Sequence, residues 1–133
     1  YADLIGKLEH IPASTQHTLV TAAVLHDIGI HAAERKYGST SGSYQEKEGP
    51  APARDILTSL GYAEDVIERV CFLIAHHHTY HDIDGLDYQI LLEADFLVNA
   101  YEDQLGKDAI RQFCQRVFRT ASGIRLLKET FDI

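Results

Sequence analysis

Apolar residues recur along this chain at spacings of three and four, the period that lines one face of an α-helix, and no run alternates convincingly as a half-buried strand does. Leu4, Ile5 and Leu8 mark a first helix that closes before Pro12. Ser14 suits the N-cap of a second, which carries Leu19, Ala22, Ala23 and His26 and stops near Gly29. Pro50 and Pro52 fit the first turn of a third, which bears Ile56, Leu57 and Leu60 and ends at Gly61. A fourth is expected over residues 63–77, with Val66, Val70, Leu73 and His77 on one stripe, and a fifth over 87–105. A sixth and a seventh follow, broken near Gly123. Residues 36–48 are polar and rich in Gly and Ser, and read as a long surface loop of the kind that carries function. The pattern predicts an all-α fold, a bundle of about six to seven helices. With no internal repeat and no linker, residues 1–133 read as a single domain.

Charge narrows the partners. Lys and Arg number 12 against 20 Asp and Glu, for a formal net charge of -8. No basic stripe is present, so a nucleic-acid duplex is disfavoured. A small phosphate ester is not, because a metal and one or two cations neutralise it locally. Cys71 and Cys114 stand apart from any C-x-x-C pairing, which points to a reducing, cytoplasmic setting. No apolar run reaches the length of a membrane span, and no signal-peptide pattern opens the chain. The chain has no methionine and starts at Tyr1 inside a helical pattern, so we expect a segment upstream of it.

The informative anomaly is polar residues on faces that should be apolar. His26 falls on the stripe of Leu19, Ala22, Ala23 and Ile30. His77 closes the stripe of the fourth helix with His76 beside it, and Asp95 shares a face with Leu91, Leu92, Val98 and Asn99. A carboxylate among apolar side chains costs several kcal/mol unless a cation or hydrogen bonds compensate it. A pairing of Asp95 with an Arg, or a core histidine bonded to a neighbour, explains any one of these alone. Three helices aiming His-Asp, His-His and Asp inward are explained together by a shared divalent metal. Imidazole plus carboxylate suits Mn, Fe, Co, Ni or Zn, with Mg less favoured.

Three segments carry a resemblance. AAVLHDIGI, LIAHHH and LLEADFLVN resemble, in order and on helices, the His-Asp signature, the downstream histidine motif and the closing Asp motif of the HD superfamily of metal-dependent phosphohydrolases. The resemblance spans about residues 19–105 and the tail FRTASGIRLLKETF is similar to those of small stand-alone members. It implies an HD-type bundle around a central metal site holding one or two ions. His26, Asp27 and Asp95 would be the ligands of the primary ion, with His76 and His77 as the tandem histidines of a second. Asp27 would also orient the attacking water. The family's first histidine ligand sits on an earlier helix. His17 lies nine residues before His26, on the opposite face at about 100° per residue, and His10 falls in a loop beside Pro12. The first ligand, with all or part of an N-terminal helix, is therefore expected upstream of Tyr1. Where binuclear members carry another histidine this chain reads QEKEGPAPARDIL, and Glu48 is the candidate ligand there.

Residues just after the His-Asp helix are where related enzymes place substrate-binding groups. Lys36 is the candidate phosphate contact and catalytic cation, with Glu34 and Arg54 as further substrate-binding candidates. The expected activity is hydrolysis of a phosphate ester or anhydride in a small, nucleotide-like substrate, by an enzyme for which a homodimer is left open. Two alternatives stand beside it: a non-catalytic metal- or nucleotide-binding HD sensor module, and a di-iron oxygenase of HD type.

Overall fold

The computed structural model describes residues 1–133, as nine helices and no strand. In chain order they are α1 (Ala2–Leu8), α2 (Ala13–Leu25), α3 (Ile30–Tyr37), α4 (Gly42–Glu48), α5 (Pro50–Ser59), α6 (Glu64–His76), α7 (Leu86–Glu102), α8 (Lys107–Val117) and α9 (Ala121–Phe131). The all-α expectation holds. The count exceeds the expected six to seven because residues 30–48, of which 36–48 were expected to be a loop, are mostly helical. They form α3 and α4, two short helices with little apolar surface for a periodicity argument to detect. Stacking of Tyr37 on Tyr44, with centroids 4.1 Å apart, joins them. Gly38, at φ 64°, ends α3 in the left-handed conformation that glycine adopts without strain. Pro12 rather than Ser14 occupies the N-cap of α2.

α7 is the central element. Ile90, Leu91, Leu92, Ala94, Leu97 and Ala100 are all buried, so the helix is apolar around most of its circumference, as a helix inside a bundle must be. It packs on α1, α2 and α9, while α6 lies against α2, α4 and α5. Two side-chain networks anchor α7. At its start, Arg69 of α6 binds the Asp87 carboxylate through Nε and Nη2 at 2.9 and 2.7 Å, and Asp84 through Nη1 and Nη2. This double fork sets the path from the α6 histidines to α7. Further along, the fully buried Glu93 accepts from Gln89 Nε2, Arg119 N, Thr120 N and the Thr120 hydroxyl. That ties α7 to the start of α9, where Thr120 also caps Gly123 N.

One close approach shapes the neighbourhood of the site. Gly29, after the His-Asp pair, passes so near the α4–α5 junction that a Cβ there would lie 2.7 Å from Gly49 N and 2.9 Å from Gln45 O. Only glycine permits this contact, and it brings α4 to the end of α2. No helix is long and apolar enough to cross a membrane.

Candidate metal centre

α2 ends at Leu25, and the chain turns through His26, Asp27 and Ile28, with Ile28 N bonded to Leu25 O and Ile30 N to Asp27 O. The turn projects His26 and Asp27 together toward the middle of α7. His26 Nδ1 lies 2.7 Å from Ala23 O. A carbonyl only accepts, so Nδ1 carries a hydrogen and the second ring nitrogen is left to face the site. That Nε2 is 3.0 Å from Asp95 Oδ1 and 3.2 Å from Asp27 Oδ2. A neutral imidazole would set its lone pair against two carboxylate oxygens. The arrangement is stable only with a positive charge at that point, either a proton on Nε2 or a metal ion shared by the three groups. Burial alone would lower the His26 pKa, but the bonds to Asp27 and Asp95 outweigh it and push it up to about 10. The same bond to His26 holds the Asp27 carboxyl below its usual range.

The other Asp27 oxygen faces a second histidine. His77 is fully buried, donates from Nδ1 to Ile74 O at 2.6 Å, and turns Nε2 toward Asp27 Oδ1 at 3.9 Å. Burial first, then His78, lowers its pKa, so the ring is neutral. The His26 and His77 rings stand nearly perpendicular, with centroids 5.3 Å apart. Gln45 completes this side. Its Nε2 donates to Thr40 O at 2.7 Å, which aims Oε1 at His77 Nε2 (3.3 Å) and His78 Nε2 (3.2 Å). Glu46 steadies the segment by accepting from His78 N and the Thr79 hydroxyl. Asp27 is half exposed, whereas Asp95 and His77 are enclosed, so ligands reach the cluster over Asp27. The cleft beside it is bounded by Tyr1, Leu91, Val98, Asn99 and Glu102.

As the side chains stand, no three His, Cys, Asp or Glu groups form a metal cage. The donors close on one another, with His26 Nε2 directly against the two carboxylates. Their chemistry nonetheless fits a divalent ion: one imidazole and two carboxylate oxygens share a point that demands positive charge.

The expected residues divide accordingly. His26, Asp27, Asp95 and His77 come together. His76 does not: it bonds Phe72 O through Nδ1 and stacks on Phe72 at 4.1 Å, on another side of α6. The tandem histidines at Gln45 are His77 and His78, one position along, because α6 ends at His76 and the chain turns there. Glu48 is directed away as well. Its Oε1 accepts from Lys36 Nζ at 3.0 Å and the Tyr37 hydroxyl at 2.8 Å. Lys36 is thereby committed to Glu48, which raises its pKa, and does not reach the cluster. Arg54 bridges Glu64 and Glu68 between α5 and α6, and Glu34 is exposed with no bond. His17 stacks on Tyr62 at 5.6 Å, away from the cluster. Gln45 and His78 were missed in the sequence. The signal for Gln45 was an amide four residues before Gly49, inside a segment read as loop.

Residues 2–116 match the family model of the HD domain. No curated protein and no solved structure matches the chain.

Proposed function

Because the chain belongs to the HD domain family, whose members are mostly metal-dependent hydrolases, we propose that it hydrolyses a phosphate ester or anhydride of a small, nucleotide-like metabolite. The observation that carries this reading is His26 Nε2 held between Asp95 and Asp27 with its other nitrogen committed to Ala23 O. His26, Asp27 and Asp95 would hold a divalent ion, and His77 with the second Asp27 oxygen would serve a further one. When bound, such an ion lowers the pKa of a water and offsets the charge on phosphoryl oxygens.

The protein's own groups do the rest. Asp27, the most open of the cluster, would orient the attacking water. Asp95, enclosed and bonded to His26, fixes the imidazole rather than meeting substrate. Gln45 supports the His77–His78 side with a neutral oxygen in place of a charged or basic donor, which makes that side the weaker cation position. The same substitution weighs against a di-iron oxygenase.

Elemental analysis of the purified protein, followed by turnover over a panel of nucleotides and simple phosphate esters with added Mn, tests the reading. Bound metal lost in Asp95→Ala and turnover abolished in Asp27→Ala are expected. Stoichiometric metal with no turnover across the panel would refute hydrolysis and assign a sensor module instead.

A further inference from the structure

Next to the α7 turn that bears Asp95 lies an aromatic group with no part in the cluster. Phe96, the residue after Asp95, stacks on Phe113 of α8, with centroids 3.7 Å apart and planes 2° from parallel. Tyr80, two residues beyond His78, meets the same Phe113 ring edge-on at 5.2 Å. The Arg116 guanidinium sits 5.5 Å from the Phe113 centroid. Phe113 therefore packs against both a phenol and a cation, and its stacking on Phe96 ties it to the turn of α7 that bears Asp95.

The polar ends of both groups are without a partner. The Tyr80 hydroxyl makes no hydrogen bond within the protein, whereas those of Tyr37 and Tyr88 bond to Glu48 and to Thr79 O. Arg116 is exposed and, like Arg35 and Arg119, has no carboxylate partner, whereas Arg54, Arg69, Arg111 and Arg125 each pair with one. Burial pushes the Tyr80 phenol up, Asp95 and Glu46 add to this, and Arg116 opposes it. The hydroxyl therefore stays protonated and is a hydrogen-bond donor.

We propose that Tyr80 and Arg116 form a second anion subsite beside the metal centre, which takes a phosphate adjoining the one attacked. The substrate class is then a diphosphate-type anhydride or its ester rather than a simple monoester. The guanidinium supplies charge and a planar fork of donors, and the phenol one further donor.

This deepens the hydrolase reading and rests on it for the substrate, but binding tests the subsite without turnover. The probes are inorganic phosphate and inorganic pyrophosphate, titrated calorimetrically into the Mn-loaded protein, with metal content checked afterwards. Wild type is expected to bind pyrophosphate at least about tenfold more tightly than phosphate. Arg116→Ala should cut pyrophosphate affinity about tenfold or more while shifting phosphate affinity less than about threefold, and Tyr80→Phe should cut it about threefold to tenfold. Arg116→Lys, which keeps the charge and the exposed position, should recover part of the loss. Equal affinity for the two probes in wild type, or an equal loss for both in Arg116→Ala, would overturn the subsite. Pyrophosphate held through Arg116 without hydrolysis of any compound keeps the subsite and overturns the hydrolase reading. Turnover of monoesters with no dependence on Arg116 in binding does the reverse.

Discussion

A metal that binds at His26 Nε2 must displace the proton held there, and the number of protons released is a direct measure of the geometry around it. In the metal-free protein its pKa is pushed up from 6.5 to about 10, against the effect of burial, by Asp27 and Asp95. At pH 7.5 a group with a pKa near 10 is more than about 99% protonated, whereas one at 6.5 carries only about a tenth of a proton. Metal binding at Nε2 should therefore release about one proton from His26, and the apparent affinity should rise about tenfold per pH unit up to pH ~9. His77 adds almost nothing, since burial lowers its pKa and leaves it neutral. Titration calorimetry with Mn in two buffers of different ionisation enthalpy gives the count. His26→Gln is the control, because a proton lost from bound water is common to both proteins. The difference between them should be close to one proton at pH 7.5. A difference near a tenth would show that Asp95 and Asp27 do not hold a proton on His26, and the argument for a cation at that point would fall.

The same raised pKa has a consequence for the chelated protein. A folded-state pKa of about 10 above an unfolded value of 6.5 gives stability that is fully present below pH 6.5 and lost as pH rises toward 10. Thermal melts in EDTA at pH 6, 8 and 10 should show the decline, and His26→Gln should flatten it. Gly29→Ala should cost about 1–3 kcal/mol, since its Cβ would meet the Gly49 and Gln45 backbone at 2.7–2.9 Å. For a chain of this length that lowers Tm by about 4–10 °C, and an unchanged melt would mean the junction yields freely. Glu93→Ala strands Thr120 N, its hydroxyl and Gln89 Nε2 in the core, which should cost about 3–5 kcal/mol. Denaturant unfolding checks this, with a loss under about 1 kcal/mol contradicting the anchoring role.

Apolar periodicity was enough to find the large helices, because each buries a stripe whose spacing is written into the chain. It failed over residues 36–48, where α4 contributes mainly Gln45 to the interior and presents almost no apolar face. The tandem histidines show the same limit at finer scale. His76, His77 and His78 are equivalent as letters, and the stripe argument picked the pair one residue early. Their division depends on where α6 stops and how the next residues turn, which Arg69, Glu46 and Tyr88 settle from other parts of the chain. Lys36, Arg54 and Glu48 looked like free charges near the site. Each found a partner of opposite charge instead, and no local pattern specifies such a pairing.

By itself the sequence determined the all-helical class, the family, and the identity of the polar residues that point inward at His26, His77 and Asp95. Those follow from residue type and helical period, which are local properties. Only the tertiary structure decided that Asp27 lies between His26 and His77, that Gln45 and His78 stand where Glu48 and His76 were expected, and that Tyr80 and Arg116 both pack against Phe113. These groups come from five separated segments. Their distances are set by the packing of α2, α4, α6, α7 and α8 about a common core, and spacing along a chain carries no information about such distances.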